Sequence, residues 1–60
     1  PLDSDLLPDD PYTEAAWFPA DRTLVVINNS EESRTTRIKT PDGEVTVSLD
    51  ALETKILPLR

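Results

Sequence analysis

The sequence predicts an all-β fold, a small antiparallel sheet or sandwich of about five short strands, on three observations. The apolar run Leu24-Val25-Val26-Ile27 ends abruptly on Asn28-Asn29-Ser30. Filled on both faces, it reads as a central strand covered from both sides, with the chain turning at the asparagines. Residues 44–49 alternate strictly, with Val45, Val47 and Leu49 on one side and Glu44, Thr46 and Ser48 on the other, the pattern of a half-buried strand. Clusters of turn-forming residues recur at short, regular intervals between the apolar runs.

Each element follows in order. Residues 1–11 hold three prolines and four aspartates, which removes backbone donors and favours turns, so they are expected to be a linker or irregular lead-in. Leu6-Leu7 is expected to pack onto the domain or a neighbour. The β-domain is expected over residues 12–60. Residues 12–18 are rich in aromatic side chains and stop at Pro19, predicting the first strand, although Glu14-Ala15-Ala16 also suits a helix. Residues 19–22 supply a turn, proline holding the φ that a first corner position prefers. Residues 23–28 form the second strand and 29–33 the next turn. The third strand, 34–39, mixes β-branched residues with bases and so has one face in water. Pro41-Asp42-Gly43 is a turn in which the glycine takes positive φ. Residues 44–49, a corner at 50–52 and a last strand at 53–59 complete the chain.

The expected inward set is Trp17, Leu24, Val26, Ile38, Val45, Val47, Leu49, Leu52 and Ile56. Val25, Ile27, Leu57 and Leu59 fall on the opposite face and also want cover. Two apolar faces call for a second layer, which a chain of this length barely supplies.

Sixty residues allow one small domain, and such a domain buries only about 60% of the surface its unfolded chain exposes. Without cysteine or histidine it has neither a disulfide nor a zinc site to compensate. It must fold by its own packing or lean on protein outside these residues, and the second is expected. Twelve acidic residues against six basic ones give a net charge of −6. That charge repels phosphate and argues against both nucleic acid and an anionic membrane as partners. No apolar run approaches the roughly 20 residues that span a bilayer. Leu6-Leu7 is too short for the core of a signal peptide, and no base precedes it. A cytoplasmic location is expected, and the initial proline suggests a fragment or a processed product.

General acid–base catalysis by carboxylates needs two acids at a fixed separation in a cleft. The acids here sit in turns (Asp21, Glu31, Glu32, Asp42, Asp50) or on polar strand faces (Glu44, Glu53). With no histidine and one glycine, neither a nucleophile–histidine pair nor a phosphate-cradling loop is available. No catalytic residue and no cofactor is expected. Asp3-Ser4-Asp5 and Asp9-Asp10 lack the spacing and turn glycine of a calcium loop, so no metal site is expected either. Tyr12, Trp17 and Phe18 are the candidate contacts for a sugar ring or a neighbouring domain. Trp17 and Phe18 are adjacent and so point to opposite faces of a strand; one belongs in the core, and the other covers the linker or a neighbour. Asn28-Asn29-Ser30 fits the acceptor pattern for N-glycosylation, but a turn explains the same residues better.

From Trp17 to Leu59 the chain carries Phe18-Pro19, then Leu24-Val25-Val26-Ile27-Asn28-Asn29-Ser30, Thr35-Thr36 and Asp42-Gly43. Val45, Val47 and Leu49 follow at alternate positions, and Glu53 with Ile56-Leu57 closes the pattern. This resembles the C-terminal β-domain of a carbohydrate-active enzyme, and most of all that of the 1,3-β-galactosyl-N-acetylhexosamine phosphorylases. The resemblance implies a parent enzyme that cleaves β-galactosides with inorganic phosphate to give galactose 1-phosphate. In such enzymes the active site lies in a preceding barrel domain, so no catalytic residue transfers to this chain. The implied partner is the catalytic domain of the same parent protein, on which this domain would pack as a non-catalytic accessory unit. The alternatives are a small carbohydrate-binding module and a domain that forms a homodimer through its sheet.

Overall fold

The computed structural model describes residues 6–41 and 43–58. Among them are five strands and no helix: β1 (Thr13–Phe18), β2 (Thr23–Asn28), β3 (Arg34–Thr40), β4 (Gly43–Leu49) and β5 (Thr54–Pro58). They form two small antiparallel sheets, a three-stranded one in the order β1-β2-β5 and the β3-β4 hairpin. The predicted all-β class and strand count hold. Strand ends shift by a residue at most: β1 and β5 begin one residue later than expected, β3 runs on to Thr40, and β4 starts at Gly43. Leu59, expected in the last strand, lies outside the described residues.

The Leu24-Val25-Val26-Ile27 run does occupy the central strand of its sheet. Its two faces are not equally covered, however. Leu24 and Val26 are fully buried, whereas Val25 and Ile27 on the other face are only half-buried. The inner faces of the two sheets meet over Trp17, Leu24, Val26, Ile38, Val47 and Leu49, with Leu6, Ala15, Val45 and Leu57 packed around them. Burying each of the larger side chains contributes about 1.5–3 kcal/mol.

Two members of the expected core lie outside it: Leu52 is 64% exposed and Ile56 is 67% exposed. Leu52 occupies the β4–β5 corner in the left-handed region, with φ 58°. Ile56 is on the outward side because β5 runs in the opposite phase from the one expected. Its partners across the ladder are fixed by β2: Leu57 faces Leu24 on the inner side, and Ile56 faces Val25 on the outer side. The same phase turns Lys55 inward, opposite Val26. Its flexible stem lets the amine escape to the rim, where Nζ donates to the Ser48 carbonyl at 2.7 Å. That bond ties β5 to β4 across the gap between the sheets.

The predicted turn at residues 19–22 is present. Asp21 N–H donates to the Phe18 carbonyl at 3.3 Å and Arg22 N–H to the Pro19 carbonyl at 3.2 Å. Arg22 closes the loop at φ 50°. Gly43 has the expected positive φ, 123°, and Thr40 Oγ1 donates to its carbonyl at 2.7 Å. Asp42 lies outside the described residues.

The turn expected at residues 29–33 does not join two paired strands. It carries the chain from one sheet to the other, because β3 pairs with β4 and not with β2. Asn28 is responsible for the geometry of this crossing. Only 1% exposed, its Nδ2 donates to the Glu32 carbonyl at 2.9 Å and the Asp50 carbonyl at 3.0 Å. Its Oδ1 accepts from Ser30 N–H at 2.9 Å. Those carbonyls belong to the β2–β3 and β4–β5 connections, the two places where the chain changes sheet. Leu52 N–H adds a bond from the second connection to the Ser30 carbonyl of the first, at 3.0 Å.

Removing the Asn28 amide breaks its bonds to the Glu32 and Asp50 carbonyls and leaves the buried Ser30 N–H without its partner; an unpaired buried donor alone costs about 1–3 kcal/mol. Asn28→Ala is therefore expected to destabilise the fold by on the order of 3 kcal/mol. The exposed Asn29, whose Nδ2 donates to Glu14 Oε2, should cost well under about 1 kcal/mol when changed to alanine. Urea midpoints of the two variants check this, and equal shifts would refute the assigned role.

Candidate interaction surface

The register sorts every strand residue onto a face, and the outer faces of the two sheets are chemically opposite. On the hairpin, the outward cross-strand pairs are Thr35 with Ser48, Arg37 with Thr46, and Lys39 with Glu44. All six are polar or charged and exposed, and Thr35 and Ser48 share a hydrogen bond at 3.1 Å. This face suits water.

The outer face of the three-stranded sheet consists of three rows. Ala16, Val25 and Ile56 form the middle row; Phe18, Thr23 and Pro58 flank it on one side, and Glu14, Ile27 and Thr54 on the other. Apolar side chains fill the middle row and most of a neighbour. Phe18 and Ile56 are exposed, and Val25 and Ile27 are half-covered only by their neighbours. Alternation in β1 and β2 sends apolar residues both inward and outward, so no rotation of these strands would hide the patch.

The three aromatic candidates from the sequence do not converge. Trp17 is 5% exposed and belongs to the core, facing Leu24 across the ladder. Phe18, 38% exposed, belongs to the outer apolar face. Tyr12 precedes the other end of β1, exposed, with the Arg34 guanidinium 4.2 Å from its ring centroid. Arg34 is itself held by Asp10 and Glu32, both at 3.6 Å. Sequence reasoning offered no signal for this stack, since the two residues are far apart in the chain and meet only through the fold.

The lead-in is also fastened down over its described part. Leu6 bridges Ala15 in the antiparallel sense. Asp9 N–H donates to the Arg37 carbonyl at 2.9 Å, and Asp10 N–H to Thr36 Oγ1 at 3.1 Å. Thr13 Oγ1 lies 2.8 Å from the Asp10 carbonyl and 3.1 Å from Thr36 Oγ1. Asp10 Oδ1 accepts from Tyr12 N–H at 2.8 Å, a side-chain turn of the kind aspartate favours. The segment therefore links β1 to β3 and closes the sandwich on the side opposite Lys55.

Two shallow depressions on the surface are lined mostly by polar and charged residues, several of which are engaged with one another. In one, Arg37 pairs with Asp9 at 3.4 Å and Lys39 stands opposite Glu44. In the other, Lys55 is bonded to the Ser48 carbonyl, and Glu53 Oε1 accepts from Asp50 N–H at 2.8 Å. Among the described residues no group of three or more acids could hold a metal ion. No helix there is long and apolar enough to cross a membrane.

Because Trp17 is the chain's one tryptophan and is buried, titration with galactosides is expected to leave its emission maximum unchanged. A shift on titration would place a sugar against the core and contradict this geometry.

The family model described as the lacto-N-biose phosphorylase C-terminal domain matches residues 8–57, from the fastened lead-in into β5. No curated protein and no solved structure matches the chain.

Proposed function

The chain belongs to the lacto-N-biose phosphorylase C-terminal domain family, and on that premise we propose that it is a non-catalytic accessory domain of a β-galactoside phosphorylase. It packs on the catalytic domain of its own polypeptide and stabilises it. The contrast between the two outer sheet faces carries this reading. A free-standing sandwich would present water with two polar faces, whereas here one face is polar throughout and the other is a contiguous apolar patch built around Val25, Ile27, Phe18 and Ile56. Such patches on small domains mark contact with other protein.

The acidic side chains support the non-catalytic half of the reading, because several of them serve the fold. Asp10 caps a turn, Glu53 accepts from Asp50 N–H, and Asp9, Asp10 and Glu32 neutralise arginines. Phosphorolysis then belongs to the catalytic domain, and this domain contributes rigidity and burial.

In the parent enzyme, Ile56→Asp is expected to destabilise the fold by about 1.5–3 kcal/mol, the value of burying such a side chain. It should leave turnover unchanged below the unfolding transition. Thr46→Asp, on the polar face of the hairpin, serves as the control and should be neutral. Calorimetry of both variants decides the matter, and equal effects would remove the packing reading.

A further inference from the structure

We infer that the apolar face is a strictly intramolecular interface, strong enough to hold only because the lead-in tethers it to the preceding domain. The inference rests on the reading above, that this face packs on the catalytic domain of the same polypeptide. Three observations carry it.

The first is area. Three strands of six, six and five residues, spaced about 4.8 Å apart and rising about 3.4 Å per residue, cover roughly 300 Å² in projection. Even doubled for side-chain corrugation, that falls short of the about 800 Å² per partner typical of stable complexes between separate molecules. A tether changes the requirement: two linked modules meet at an effective concentration of about 1 mM, so a weak contact stays closed.

The second is how the tether is anchored. Leu6 bridges Ala15, and Asp9 and Asp10 are bonded to β3, so the lead-in is fixed to the sandwich itself. The bridge is antiparallel, so the segment from Leu6 runs along β1 away from its Phe18 end. Leu6 thus lies beside β1, the strand whose Phe18 shares an outer-face row with Thr23 and Pro58. Fastening Leu6, Asp9 and Asp10 to the sandwich takes those residues out of the free link, and a shorter link raises the effective concentration as long as it still spans the two sites.

The third is charge. At −6, a second copy of this chain would bring like charge against like, and Glu14 sits in the outer rows of the same face. Self-association through this face is opposed on that count as well as by area.

The test uses the full-length parent with a protease recognition sequence inserted between Asp3 and Ser4, cut after folding. Sedimentation at about 1 µM, far below the effective concentration of the intact link, is expected to show the domain leaving the cut enzyme, while the uncut protein stays whole. Co-sedimentation of the cut pieces at that concentration would overturn the inference, as would a stable dimer of the released domain. Ile56→Asp in the uncut parent separates the two claims. If it destabilises the enzyme while the cut pieces remain together, the packing reading stands and tether dependence fails. If it has no effect, the packing reading fails and takes this inference with it. Destabilisation together with release supports both.

Discussion

One buried carboxamide holds this architecture in register. In most small sandwiches the two sheets are related by the packing of their inner faces, which is non-directional and tolerates sliding. Here Asn28 adds direction. Both of its amide protons and its carbonyl oxygen are committed, to the Glu32 carbonyl, the Asp50 carbonyl and Ser30 N–H. The first two acceptors lie in different connections between the sheets, so a shift of one sheet against the other breaks a bond of the buried amide. The residue sits at the end of the central strand, with its own N–H bonded to the Glu53 carbonyl. Strand β2 is thereby coupled to both connections between the sheets.

The open sides of the sandwich are closed by different means. On one side the lead-in spans β1 and β3 through backbone bonds and the Thr13–Thr36 hydroxyl pair. On the other, the Lys55 amine reaches a β4 carbonyl. Both closures are polar bridges over a narrow apolar centre. A domain of this size has few alternatives, because its core is small relative to its surface and it has no cysteine to cross-link. The exposed ion pairs, such as Arg37 with Asp9, add little to this. Cover for the outer apolar face is the remaining route to stability, which links the marginal core to the proposed role.

Much of the fold was legible because its signals are local. Apolar runs, alternation in β4 and the turn residues placed all five strands to within a residue at their described ends. Gly43 announced its own positive φ. The partition into two sheets was not legible, since a strand's sequence does not say which partner it takes. Asn28 misled for a specific reason: asparagine after a strand serves equally as a turn former and as a buried bracket, and only the fold decides between them. The phase of β5 was lost to Lys55. A lysine reads as outward-facing, yet a long stem at a rim can start inward and end in water; Ile56 and Leu57 then exchange faces. For the candidate surface, Val25 and Ile27 were legible as a second apolar face and Phe18 as the residue opposed to Trp17. Ile56 joined them only through the observed register. The stack of Arg34 on Tyr12 depends on contacts between distant segments and left no trace in the sequence.

The bracket role of Asn28 has a chemical corollary. The side-chain nitrogen that an oligosaccharide would modify is the one that must keep two protons for neighbouring carbonyls. A sugar attached there would remove one proton and occupy a space from which solvent is shut out. Glycan attachment at Asn28 and the native state are thus mutually exclusive: a folded chain hides the acceptor, and a chain modified before folding has lost its clasp.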